Sequence, residues 1–334
     1  MMLRRLLGSL GVGGPSVDTV LDPGPVLPGA ILTGQVVLDG GKTDVDIDHI
    51  ALELIARVEA EHDGGETEGV VAFGRCTVGG GFRLPAGERH SLPFGLTVPW
   101  ETPVTELYGQ PLGIVLGVRT ELAVSGAKDK GDLDRLTVRP LPAQEAVLAA
   151  LGRLGFGFES ADLEFGRIGG TGQRLPFYQE IELTPAPRYA HAMRELEVTF
   201  LANPGGMEII LAADKPAGFF SGGHDAVSRH VVSHDGVPHR DWTEAVDAWL
   251  RRLVAGRGVV GVPAPHGHDH GDPYAHHEHG HGPEHDHGGH RSGPGMGTAV
   301  AAGAAGLAVG AAGGLVAAEV VDEIGDAMED EGEG

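Results

Sequence analysis

The sequence predicts a mainly β chain, folded as a sandwich of stacked sheets, and three observations carry that prediction. First, apolar and polar residues alternate in short runs. Ile50, Leu52, Leu54, Ala56 and Val58 share one face while Glu53, Arg57 and Glu59 share the other, the period-2 pattern of a half-buried strand. Second, the 334 residues include 56 glycines and 22 prolines, too many for long helices and usual where turns join many short strands. Third, Leu92, Phe94, Leu96 and Val98 alternate between Pro85 and Gly87 on one side and Pro99 and Pro103 on the other. Proline cannot donate to a ladder, so Pro93 within that run predicts an edge strand or a strand start.

Taken in order, residues 16–21 read as a strand closed by Asp22-Pro23-Gly24-Pro25. Residues 30–38 read as a second, and Asp39-Gly40-Gly41-Lys42 as a hairpin turn after it. Strands at 47–61, 70–78, 92–98, 114–124 and 133–138 complete a first sandwich over 1–140. Residues 143–154 change period: Ala146, Val147, Ala150, Leu151 and Leu154 follow helical spacing just after Pro140 and Pro142. This short helix marks the joint with a second sandwich over 141–255, with strands at 161–165, 177–183, 196–200, 207–212 and 228–233. Asp241 with Glu244 reads as a capping box opening a closing helix, and Trp242, Val246, Trp249, Leu250 and Leu253 as its core-facing stripe. Before all this, Leu3, Leu6, Leu7 and Leu10 form one face of a short helix packed on its own protein, the apolar run being too short for a signal peptide.

At Ala255 the composition changes. Residues 256–297 form a linker in which 266–290 hold ten of the 18 histidines, five carboxylates and almost nothing apolar. Such a stretch cannot offset the entropy of ordering and is expected to be disordered. Residues 298–334 combine a glycine/alanine-rich apolar segment with an acidic end; no charge occurs from Ser292 to Ala318, and eight acids follow. Gly306, Gly310 and Gly314 recur every four residues, a small-residue stripe that permits close helix approach. Three roles stay open for 298–321: weak membrane contact, pairing with another copy, or docking in a groove on the sandwich.

Charge narrows the function classes. The net charge is −23, which disfavours nucleic acid and anionic lipid alike. Cys76 is the only cysteine, so no internal disulfide can form; it reads as packing in a strand, in keeping with a reducing cytoplasm. Gly41-Lys42-Thr43 lacks the earlier glycine of a phosphate loop, since Val36 stands there, and an acidic strand follows it. His191, His224, His230, His234 and His239 lie scattered in the second half with no serine or cysteine nucleophile in a local signature; they read as surface or satisfied core residues, and the chain as a non-enzyme.

Several stretches together resemble the sporulation-control proteins of bacteria. They include S-V-D-T-V-L from Ser16, I-D-H-I-A-L-E-L from Ile47 and L-P-A-G-E-R-H-S-L-P-F-G-L-T-V-P from Leu84. D-K-G-D-L-D-R-L-T-V-R-P from Asp129, A-D-L-E-F-G from Ala161 and L-P-F-Y-Q-E-I-E-L from Leu175 continue the series, whose order and spacing cover roughly 1–255. The resemblance implies two tandem arrestin-like β-sandwiches. It also implies a cytoplasmic scaffold or adaptor, peripheral at the membrane if 298–321 touches it, that controls sporulation or cell-cycle development through protein contacts and needs no cofactor.

The histidine tract is the strongest chemical signal. Neutral imidazole suits zinc, nickel and copper, and His266, His268, His270, His276, His277, His279, His281, His285, His287 and His290 offer many donors within a short reach. The alternatives are a solvated spacer, a tether whose charge follows pH near neutrality, or a metal-buffering or metal-delivery protein. Calorimetry of the full chain is expected to show zinc or nickel binding at micromolar concentration or tighter. That binding should vanish when residues 266–290 are deleted; undiminished binding would place the ligands elsewhere.

Overall fold

The computed structural model describes residues 13–62, 65–214 and 226–257. The helix expected over 3–10, the histidine tract and the segment 298–334 lie outside them. The fold is mainly β. Strands β1 (Ser16–Leu21) and β2 (Ile31–Asp39) are followed by the long β3 (Val45–His62) and β4 (Gly65–Gly79), then β5 (Phe82–Leu84) and β6 (Arg89–Thr97). The first sheet has the order β1-β2-β6, all antiparallel. Pro93 therefore sits on an edge strand, opposite Gln35, as its missing N–H requires. Phe94, Leu96 and Val98 are buried and the residues between them are exposed.

Asp39-Gly40-Gly41-Lys42 does not close a hairpin. It carries the chain from β2 in the first sheet to β3 in the second. The glycines serve close approach: a Cβ on Gly40 would lie 2.3 Å from the Pro85 carbonyl oxygen, and one on Gly41 2.4 Å from that of Gly13. The Gly40 and Lys42 N–H groups donate to the Glu88 and Gly13 carbonyls at 2.7 and 2.8 Å. Three chain segments thus cross where only backbone fits.

A hairpin of two very short strands, β7 (Glu106–Leu107) and β8 (Gln110–Pro111), precedes β9 (Leu116–Val124) and β10 (Lys130–Arg135). Helix α1 (Pro142–Leu154) has proline at its start and ends at Gly155, whose left-handed conformation closes the last turn. Strands β11 (Gly157–Phe165), β12 (Phe177–Thr184), β13 (Leu196–Asn203), β14 (Gly206–Ala213) and β15 (Ala226–Val232) follow, then α2 (Trp242–Arg257). The Asp241 carboxylate accepts the Glu244 N–H at 3.0 Å, and the α2 stripe is buried as its spacing predicts. The main sheet runs β10-β9-β3-β11-β12-β13-β14-β15, with β4 and β5 also paired to β3. On its inner face Ile50, Leu52, Leu54, Ala56 and Val58 are essentially fully buried. The opposite face of β3 is not all wet, because Ile55 and Val70 form a small second cluster under Val115 and Leu133. Glu53 lies directly across from both Arg75 and Arg119 and pairs with each; Arg75 also reaches Glu121 at 2.8 Å. The arginines are partly exposed while Glu53 is largely covered, and the opposed pairs fix the register of β3 against β4 and β9.

The two halves share one apolar core, from Val17 to Leu253. The ladder between them is thin, a single parallel pair of Glu59 with Glu164. Side chains complete the joint. The buried Gln179 carboxamide on β12 accepts the Val104 N–H and donates to the Val104 C=O, both at 2.9 Å, doing for Val104 what a neighbouring strand would do. The Glu101 carboxylate accepts the Arg174 and Leu175 N–H groups at 2.8 Å each. Gln179→Ala is expected to lower stability in urea by about 2–6 kcal/mol, because two buried backbone groups lose their partners at about 1–3 kcal/mol each. A loss within error of zero would mean that the amide is replaceable.

Candidate functional site

Three places in the described residues hold chemistry that packing alone does not require. The first is an apolar groove of about 360 Å³ at the joint between the halves, under the β7–β8 hairpin. Leu148 and Gly152 of α1, Ile181 and Leu183 of β12, Phe158 of β11 and Tyr108 of the hairpin line it, and no charged side chain does. Local preference is violated here repeatedly. Tyr108 and Gly109 have φ of 53° and 75°, the paired positive angles of a type I′ turn, where asparagine is the usual first residue; an ordinary side chain there costs about 1–2 kcal/mol. Gly152 lies within α1, where glycine costs about 1 kcal/mol against alanine, yet a Cβ there would meet nothing within 4 Å. Tyr108 and Phe158 are 62% and 49% exposed.

The second place is a row of carboxylates on β11, β12 and β13. Register makes it: Asp162 faces Glu180, Glu182 faces Glu197, and Glu164 faces Glu59. One oxygen from each of Asp162, Glu164 and Glu180 lies within 4.8 Å of the others. Burial, then Glu180 and the other carboxylates, pushes the Asp162 carboxyl up to about 8, and the same influences raise the Tyr178 phenol. These oxygen donors suit hard divalent cations, in contrast to the imidazoles of 266–290. In the sequence each strand shows only an ordinary polar face; the pairing of β11 with β12 brings the acids together.

The third place is the free edge of β15. The path of the main sheet ends at β10 and β15, and β4, paired to β3 alone among the described strands, gives it a further edge. At the β10 end, the Asp132 carboxylate accepts the Thr19 N–H of β1 at 2.6 Å, and the Thr19 and Thr120 hydroxyls meet at 2.6 Å, so that edge is closed by the first sheet. Among the described residues nothing pairs beyond β15, whose Val231 is 82% and Val227 37% exposed.

Among the described residues, the scattered histidines do not converge. His230 stacks on Trp249 at 4.2 Å, and burial, helped by Arg252 and Arg240, holds it down at about 4. Its Nε2 is 3.2 Å from Ser228 Oγ, but cations rather than a carboxylate influence the ring, so the pair is not set up as a nucleophile and base. His234 stacks on Trp100, with Nε2 2.7 Å from the Asn203 carbonyl oxygen. Cys76 is half-buried on β4, and burial raises its thiol. His224 and the ten histidines between His266 and His290 lie outside the described residues. Among those residues, no helix is long and apolar enough to cross a membrane.

Comparison with known proteins gives concordant matches. The model of the SpoOM protein family matches residues 3–217. The sporulation-control protein spo0M of Bacillus subtilis (strain 168) is 37% identical over 215 residues, covering 64% of this chain and 81% of that protein. The crystal structure of Spo0M, sporulation control protein, from Bacillus subtilis matches with a TM-score of 0.64 and 31% identity, over 73% of this chain and 99% of that one.

The acid row has a thermodynamic consequence. Folded, Asp162 keeps its proton up to about pH 8, whereas its ordinary value is 3.8. Between these values the folded chain binds more protons than the unfolded one, so this group's contribution to stability declines as pH rises. His230, held down, acts in the opposite sense below its ordinary 6.5, so the test is the difference between parent and variant. Asp162→Asn should be more stable than the parent near pH 8 by about 1–2 kcal/mol, less than the full shift because the side chain is partly exposed. The advantage should shrink toward about pH 5. Denaturant titrations at both pH values check this; a difference independent of pH would contradict it.

Proposed function

The chain belongs to the SpoOM protein family, and on that premise we propose that it is a regulator of sporulation that acts in the cytoplasm as a scaffold or adaptor for other proteins. The observation that carries the mechanism is β15, an edge with two exposed valines on a sheet whose β10 edge is closed. An unpaired edge presents a row of backbone donors and acceptors, and an extended peptide can add to it as a further strand. Arg229 fixes the strand by donating to the Gly169 and Gly170 carbonyls at 2.6 and 3.0 Å. The relatives' printed names supply the developmental context; the geometry supports contact rather than catalysis, since no nucleophile, base and orienting acid come together among the described residues.

A second reading, a zinc-, nickel- or copper-buffering protein, stands on the density of histidines in 266–290. Both readings are tested in a spore-forming host lacking its own copy of the gene. The full chain is expected to restore spore counts. Val227→Lys with Val231→Lys is expected to lower them to those of the deletion strain, while circular dichroism and urea midpoint stay within about 0.5 kcal/mol of the parent, as for surface changes. Full restoration by the double variant would overturn the edge mechanism. A deletion defect that appears only under metal stress would favour the second reading.

A further inference from the structure

We propose that the apolar groove at the joint is the docking site of this chain's own glycine/alanine-rich segment, residues 298–321. The groove gathers three choices that cost the fold, a tyrosine in left-handed backbone, a phenylalanine half exposed to water and a glycine inside a helix, the last demanded by no neighbouring atom. Sequences agree with their folds locally except where function intervenes, so such a concentration marks a surface that is meant to be covered. The open space above Gly152 says what kind of cover. Absence of a side chain there lets another backbone approach α1 closely, and Ala149 beside it in the lining is also small.

The chain itself carries the complement. Beyond Arg257, the end of α2, 77 residues follow. Within them the segment from Ser292 to Ala318 has no charge, in a chain of net charge −23, and Gly306, Gly310 and Gly314 repeat every four residues. Small residues at that spacing pack closely against a small-faced helix. The uncharged groove lining asks for an uncharged occupant. A chain of roughly 40 residues, the number between Arg257 and Thr298, would reach about 35 Å if it behaved as a flexible coil, and tethering sets a millimolar effective concentration that a free partner must exceed. Leu307 and Leu315 are the large side chains of the segment available to fill the volume.

The test uses the full chain with Phe158→p-benzoylphenylalanine, a photo-crosslinking residue that replaces one half-exposed aromatic ring of the lining with another and leaves the space over Gly152 open. Illumination of dilute protein should give an adduct within one chain, which peptide mass spectrometry maps to 298–321. In the same protein Leu307→Lys with Leu315→Lys should cut the adduct yield by about tenfold or more, as removal of two buried leucines implies. An adduct between two copies, an adduct outside 298–321, or no adduct would overturn the proposal. So would a yield unaffected by the lysines.

Discussion

Across the shared core, one side-chain amide closes the backbone at the joint between the two halves. A strand pair would satisfy Val104 with a neighbour's N–H and C=O; here Gln179 supplies both from a carboxamide. Val104 and Gln179 are both buried, and a buried backbone group without a partner is costly. The Glu59–Glu164 pair is too short a ladder to hold the halves by itself. With Gln179 and Glu101 in place, the core runs continuously from β1 to α2, and the floor and walls of the groove come from elements on both sides of the joint.

Edges are managed unequally. Pro93 removes a donor from β6, and Asp132 occupies the Thr19 N–H where β1 meets β10. Both devices discourage another chain from adding a strand. β15 has neither; its exposed face carries valines on either side of Arg229. Docking by strand addition and docking in the groove use different surfaces, so a partner on β15 and the chain's own segment need not compete for the same atoms.

The strands were legible because their periods are strong. The alternation through Ile50 to Val58, the prolines around Leu92 to Val98 and the α2 stripe each point to the element that forms. Helix α1 was legible from a change of period after Pro140 and Pro142. What was not legible depends on partners distant in sequence. Gly40 and Gly41 look like a turn, but their smallness serves the Pro85 and Gly13 carbonyls, which the sequence places 45 and 28 residues away. Asp162 and Glu180 look like wet-face acids until β11 pairs with β12. Tyr108 gives no local sign of left-handed backbone, since its neighbours Leu107 and Gln110 form strands too short to show a period. The groove was likewise invisible, being assembled from α1, β11, β12 and the β7–β8 hairpin. The strongest local signal, the histidine tract, lies outside the described residues.

Amide hydrogen exchange at Val104 tests the central claim most directly. Val104 belongs to no strand, and an ordinary loop amide exchanges rapidly through local opening. If the Gln179 carboxamide holds it as a sheet neighbour would, the Val104 amide will exchange only with global unfolding, at the rate of the β3 amides around Leu52. Exchange at a loop-like rate while the β3 amides remain protected would show that the halves are not joined through this side chain.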